Sequence, residues 1–203
     1  MTQTRSRKEH ILDVAAHLFS ERGYPKTALE EIADECGITK PAIYYHFKDK
    51  QSLYEAVLCQ RFNLISEKIL QETQKEDPME AIRAYVETFG HYLVEDSDFG
   101  AIFARELADG AQSLPENCIK NLSIILGRLD EILREGRQRG LFREENPFMI
   151  QLMIVSTLTN YQTTAALRKT VLERLDGAKE HINPDLEDII PNLSEKIQKA
   201  LTC

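Results

Sequence analysis

Between Thr39 and Lys50 the side chains could hold a polyanion: Lys40, Lys48 and Lys50 are cationic, and Tyr44, Tyr45 and His46 are hydrogen-bonding rings. Ile38 through Lys48 contains no acidic residue in a chain otherwise rich in acids. Ammonium groups bind phosphate as point charges, and Lys is also able to reach guanine O6 and N7 in a major groove. Two adjacent Tyr rings facing solvent on a short helix need something to touch. The competing reading is that the two rings pack on a neighbouring helix of a bundle that never meets nucleic acid.

Chemistry of other kinds finds less support. No P-loop, G-x-S-x-G or H-E-x-x-H stretch occurs, and no Cys or Ser has a base partner close in sequence. His17 and Glu21 lie one helical turn apart but have no third ligand for a metal, so a solvated helix pair is the expectation. Cys36, Cys59, Cys118 and Cys203 show no metal-like spacing, and the charged N-terminus does not read as a signal peptide, so a reducing cytoplasm is expected. No apolar run approaches the roughly 20 residues of a membrane-spanning helix. No cofactor is expected.

The elements that position residues 39 to 50 follow from capping and periodicity. Thr27 and Glu30 form an S/T-x-x-E capping box, so a helix is predicted from that point, with Leu29, Ile32, Ala33 and Cys36 on its apolar stripe. Gly37 should end it in the left-handed conformation. Thr39 is then a second N-cap and Pro41 falls in the first turn of a second helix reaching about Phe47, whose Ile38, Ile43 and Phe47 point inward. A preceding helix over 8–22 buries Ile11, Leu12, Ala15, Leu18 and Phe19 and stops at Gly23. Residues 1–7 read as a polar arm in which Arg5 and Arg7 reach DNA or stay solvated.

These residues are closely similar to the TetR family of bacterial repressors, over residues 8–60, through Cys36-Gly37-Ile38-Thr39-Lys40-Pro41-Ala42-Ile43-Tyr44-Tyr45-His46-Phe47-Lys48-Asp49-Lys50 and the upstream Phe19-Ser-Glu-Arg-Gly-Tyr24. The resemblance implies contact roles. Thr27 with its helix N-terminus would bind phosphate, Thr39 would cap the reading helix at the DNA surface, and Lys40, Pro41 and Ala42 would meet base edges. Tyr44, Tyr45 and His46 would touch phosphates or sugars, and Lys50 a further phosphate.

The charge distribution fits this. Residues 1 to 50 hold eight Lys/Arg and eight acids, so the whole net charge of −8 lies after residue 50. A neutral head on an acidic body keeps the body away from phosphate. The expected architecture is all-α: a three-helix DNA-binding head, residues 1–48, and a helical-bundle body, residues 49–203, for ligand binding and dimerisation.

In the body, Asp49 caps a long helix to about residue 75, and Pro78 opens one running to Glu95 with Ile82, Tyr85, Val86, Phe89, Tyr92 and Leu93 on its stripe. A short helix over 98–110 carries Arg105 and Glu106, expected as a structural ion pair or as groups that orient an effector. A helix over 115–139 should bury Ile119, Leu122, Leu126, Leu129 and Leu133. One over 147–175, uncharged between Met149 and Leu167, needs cover on several sides. The last helix, about 186–201, carries Leu186, Ile190, Leu193, Ile197 and Ala200 at spacings of four and three. That seam suits a partner helix or the chain's own core, and Pro191 should kink it.

The resemblance completes the expectation. The chain would be a repressor, homodimeric through its last two helices, leaving a pseudo-palindromic operator when a small molecule binds the body. The family's ligand site implies a pocket near Tyr85, Phe89, Tyr92, Phe103, Asn160 and Tyr161. A helical adaptor or an enzyme without DNA affinity is the alternative, separable by the salt dependence of duplex binding.

Overall fold

The computed structural model describes residues 6–112, 114–175 and 182–202. Among the described residues the chain is all helix: α1 (Arg7–Arg22), α2 (Leu29–Glu35), α3 (Lys40–His46), α4 (Lys50–Glu72), α5 (Pro78–Glu95), α6 (Ser97–Ala108), α7 (Glu116–Gln138), α8 (Pro147–Thr163), α9 (Ala165–Leu172) and α10 (Leu186–Leu201). Helices α1 to α3 form the head. Helix α4 runs out of it, packing on α1 and also on α5 and α7, so one rigid rod joins the head to the body.

Capping chemistry sets most boundaries. Ser6 and Glu9 form a reciprocal capping box at the start of α1, which makes Arg7 its first residue rather than part of an arm. Arg5 lies outside the described residues. Asp49 accepts from the Ser52 amide at 2.7 Å and opens α4, and Asp77 with Pro78 opens α5 where the sequence places it. The α2 start is a correction. Its N-cap is Ala28, whose amide donates to Glu31 at 2.9 Å, while Thr27 is 1% exposed with its hydroxyl donating to the Gly23 carbonyl at 3.0 Å. An inward Thr hydroxyl cannot cap a helix that begins two residues later.

The body's interior centres on rings. Phe62, Phe99 and Phe103 meet within 5.4 Å between centroids, and Tyr92 lies edge-on to Phe99 at 5.3 Å. Each such pair adds about 0.5–1.5 kcal/mol beyond the area it buries. On α7 the buried set is Cys118, Ile125, Leu129, Ile132 and Leu133, while Ile119 is exposed and Leu126 only half-buried. The predicted seam is therefore rotated along its N-terminal half.

Two further corrections concern the last helices. The long helix expected over 147–175 breaks at Thr164, because Thr163 and Thr164 return their hydroxyls to the carbonyls of Thr159 and Asn160, a bond that bends helices. Helix α10 turns its Ile190, Leu193, Ile197 and Leu201 stripe onto its own chain, chiefly α5. Gly90 permits this approach, since a Cβ there would meet Ile190 at 2.5 Å. Pro191 sits exposed in the second turn and does not split the helix.

The Arg105 and Glu106 side chains do not pair with each other. Arg105 donates to the Phe19 and Ser20 carbonyls at 3.0 and 2.5 Å, placing a cation at the α1 C-terminus, and buried Glu106 accepts from the Tyr54 hydroxyl at 2.5 Å. Arg61 on α4 adds ion pairs to Asp13 of α1 at 3.0 Å and to Asp96 before α6 at 2.7 Å. Burial pushes the Asp96 carboxyl up, against the pull of the adjacent Arg61 guanidinium. Together these bonds tie the head's first helix to α4 and α6.

Candidate nucleic-acid interface

The turn between α2 and α3 is built by Gly37, at φ +64°, with the Ile38 amide donating to the Ala33 carbonyl at 2.9 Å. A side chain at that φ is strained, so glycine allows the chain to leave α2 and start α3 within three residues. Pro41 lies in the first turn of α3, where no amide is needed. Ile43 and Phe47 are buried against the head's core, which fixes the rotation of this seven-residue helix.

That rotation decides what faces out. Tyr45 is 86% exposed and Tyr44 47%; Thr39, Pro41 and Lys48 are exposed, and Lys40, Ala42 and His46 are half-buried. Tyr45 and His46 are edge to face at 5.0 Å. Lys40 is paired with Glu30 of α2 and lies 5.8 Å from the Tyr44 ring centroid, and its hydrogen bond to Glu30 holds the ammonium above its ordinary range. A phosphate or base must compete with Glu30 for this ammonium.

Of the expected contact residues, seven from Thr39 to His46 lie on or beside one edge, and two do not. Thr27 is turned into the head as described. Lys50 points its ammonium at the Tyr24 and Thr27 carbonyls, 2.8 and 2.9 Å away, with the Tyr24 ring centroid at 4.4 Å. These carbonyls, that of Pro25 at 3.5 Å and the ring satisfy its charge at the α1–α2 connection, so it fastens that connection to α4. Lys48, exposed in the turn between α3 and α4, was named in the cationic stretch but given no contact role of its own.

The six residues expected around a ligand separate. Tyr85, Phe89, Tyr92 and Phe103 are buried, with Tyr85 donating to Gln151 at 2.5 Å. Burial pushes the Tyr85 and Tyr92 phenols up, so both remain protonated donors. Asn160 is exposed, and the Tyr161 hydroxyl donates to the Pro184 carbonyl at 2.7 Å beside a groove of about 420 Å³. A second groove, about 610 Å³, runs between α4 and α5 past Lys68, Arg83, His91 and Tyr92. Among the described residues no group of three metal-ligating side chains occurs. No described helix is long and apolar enough to cross a membrane.

A short second helix that carries no acid of its own, held by a glycine turn with its outer edge open, defines a helix-turn-helix DNA-binding protein. Residues 11–57 match the family model described as bacterial regulatory proteins, tetR family, and residues 78–184 match the tetracyclin repressor-like C-terminal domain. The chain belongs to the TetR family of bacterial transcriptional regulators. It is 47% identical over 55 residues to the transcriptional regulator AcrR of Shigella flexneri, covering 27% of this chain and 26% of that one. It is 25% identical over 187 residues to the fatty acid metabolism regulator protein of Bacillus subtilis, covering 86% and 96% of the two. The match spans 26%, 42% and 52% of the length of three curated relatives. The solved structure of FadR from Bacillus subtilis in complex with stearoyl-CoA superposes with a TM-score of 0.74 at 21% identity, covering 95% of this chain and 98% of that one.

Proposed function

We propose that this regulator is a homodimeric repressor whose two α3 edges enter successive major grooves of a pseudo-palindromic operator, and whose body releases the DNA when a small molecule binds. The exposed edge of α3, a helix with no acid of its own, carries the reading, because its hydroxyl and cationic groups can gain phosphate and base contacts. Residues 1–48 act as the head and 49–203 as the body. Lys40, Pro41 and Ala42 meet bases, and Thr39, Tyr44, Tyr45, His46 and Lys48 meet the backbone. Thr27 and Lys50 act indirectly, by fixing the α1–α2 connection.

The dimer forms through the outer face of α8, where Phe148, Met149, Leu152 and Met153 are all exposed, with Leu167 and Val171 of α9 continuing it. Covering such surface gains roughly 25 cal/mol per Å². The seam of α10 is already occupied by α5, so its part in the dimer is limited to its outer side.

The effector is a molecule with an apolar body. The interior between α4, α5, α7 and α8 is apolar with a few hydroxyl and amide groups, and a FadR of the same fold takes stearoyl-CoA. Buried aromatic and aliphatic side chains occupy this interior, so the ligand selects a conformation in which α4 has shifted, and that shift resets the head.

Binding to random duplex DNA across a salt series tests the reading. A steep fall in affinity with salt is expected, at about 0.9 decades per decade for each phosphate neutralised. No affinity at low salt contradicts it and returns the adaptor.

A further inference from the structure

The Cys59 sulfur on α4 and the Cys118 sulfur on α7 are 3.7 Å apart, both as free thiols. Cys59 is half-buried; Cys118, in the first turn of α7, has no exposure. Neither thiol belongs to the reading edge, and neither is among the six residues expected around a ligand. Burial pushes the Cys118 thiol up, with Cys59, Glu106 and Glu55 adding to the effect, so it keeps its proton. Cys36 lies in the head, at the end of α2.

We propose that Cys59 and Cys118 form a thiol–disulfide modification site at which a hydroperoxide resets the helix that supports the head. The proposal rests on the DNA-reading assignment only for its consequence. Cys59 is reached first, because it alone of the pair has solvent access. Its sulfur attacks the peroxide O–O bond, becoming a sulfenic acid as the other oxygen leaves as water or alcohol. The Cys118 sulfur then bonds to the sulfenic sulfur, and its proton leaves with the displaced hydroxyl as water. Two thiols lose two electrons and the peroxide gains them.

The bond requires a sulfur separation of about 2.0 Å, so α4 and α7 must draw together or the two side chains must turn. Little else can yield locally. Tyr54, five residues before Cys59, is held by Glu106, and Arg61, two residues after it, is held by Asp13 and Asp96. The proposal takes the first course: α4 moves toward α7, and the displacement is passed along α4 to the head, so that the two reading edges leave the spacing of successive grooves.

The experiment uses the full chain carrying Cys36→Ser and Cys203→Ser, treated with hydrogen peroxide. Peptides are mapped by mass spectrometry without reductant, and affinity is measured at fixed salt for a duplex that the reduced protein selects from a random-sequence pool. A linked Cys59–Cys118 peptide is expected, with affinity about five-fold lower or more and recovered on reduction. Cys59→Ala should keep the reduced-state affinity and lose the response to peroxide. Absence of the linked peptide overturns the proposal, and so does a linked protein whose affinity is unchanged or higher. Failure of the DNA-reading assignment shows separately, as a pool in which the reduced protein enriches nothing; hydrogen exchange along α4 then decides, and unaltered exchange in the linked protein overturns the proposal.

Discussion

The outer faces of α3 and α8 are both left uncovered by the described residues, and they differ in kind. The α3 edge exposes hydroxyl-bearing rings, with Tyr45 at 86%, beside Lys40 and Lys48. The α8 face exposes Phe148 at 65% and Leu152 at 58%, within a stretch uncharged from Asn146 to Leu167. A hydrated polyanion suits the first, since each group there can hydrogen-bond to phosphate, sugar or base. The second, apolar and without charge, is the face proposed to be covered by a partner subunit. Exposure alone therefore does not separate a DNA edge from a subunit interface; the atoms at the tips of the side chains do.

Breaking the α8 face should have the larger effect. Leu152→Glu is expected to leave a folded monomer by sedimentation velocity and circular dichroism. Its operator affinity should fall by about 100-fold or more, because one head alone loses the gain of joined binding. A variant that stays dimeric removes α8 from the interface. Gly90→Ala sharpens the contrast by disturbing a helix face that is already covered. The added methyl meets Ile190, so thermal unfolding should show a loss of about 1–3 kcal/mol with DNA affinity held in the cold.

On the α3 edge the effects reverse. Tyr45→Ala should cost about ten-fold in duplex affinity, roughly 1.4 kcal/mol, with an unchanged melting temperature. A shift in melting with affinity intact would make the ring structural. The smallest effect is expected for Lys40→Met. Because Lys40 is already paired with Glu30 and is assigned to a base, affinity should drop only a few-fold, with discrimination relaxed at that base pair and the salt slope of a titration little changed.

Much of the fold was legible where one local signal decides. Asp49, Asp77 with Pro78, and Gly37 each fix a boundary by an atom-level need, and the structure places α4, α5 and the turn before α3 accordingly. Which side of α3 faces out was legible for the same reason, since Ile43 and Phe47 fix the rotation of a very short helix. What depended on distant packing was not. Thr27 looks like a cap until Leu18 and Gly23 draw its hydroxyl inward. Arg105 and Glu106 look like a pair until α1 and Tyr54 each claim one. The α10 seam looks free until Gly90 admits Ile190. For the effector site, the aromatic stripe of α5 gave Tyr85, Phe89 and Tyr92 a shared buried face, but the bend at Thr164, invisible in the run of uncharged residues, leaves Asn160 exposed and Tyr161 bonded to Pro184.

The central claim is that paired α3 edges read DNA one helical turn apart. Selection from a random-sequence duplex pool by the wild-type full chain tests it most directly. The account predicts enrichment of a pseudo-palindrome whose half-sites lie about 10 base pairs apart centre to centre, or a multiple of that. Enrichment of a single unrepeated site, or of nothing, would contradict it.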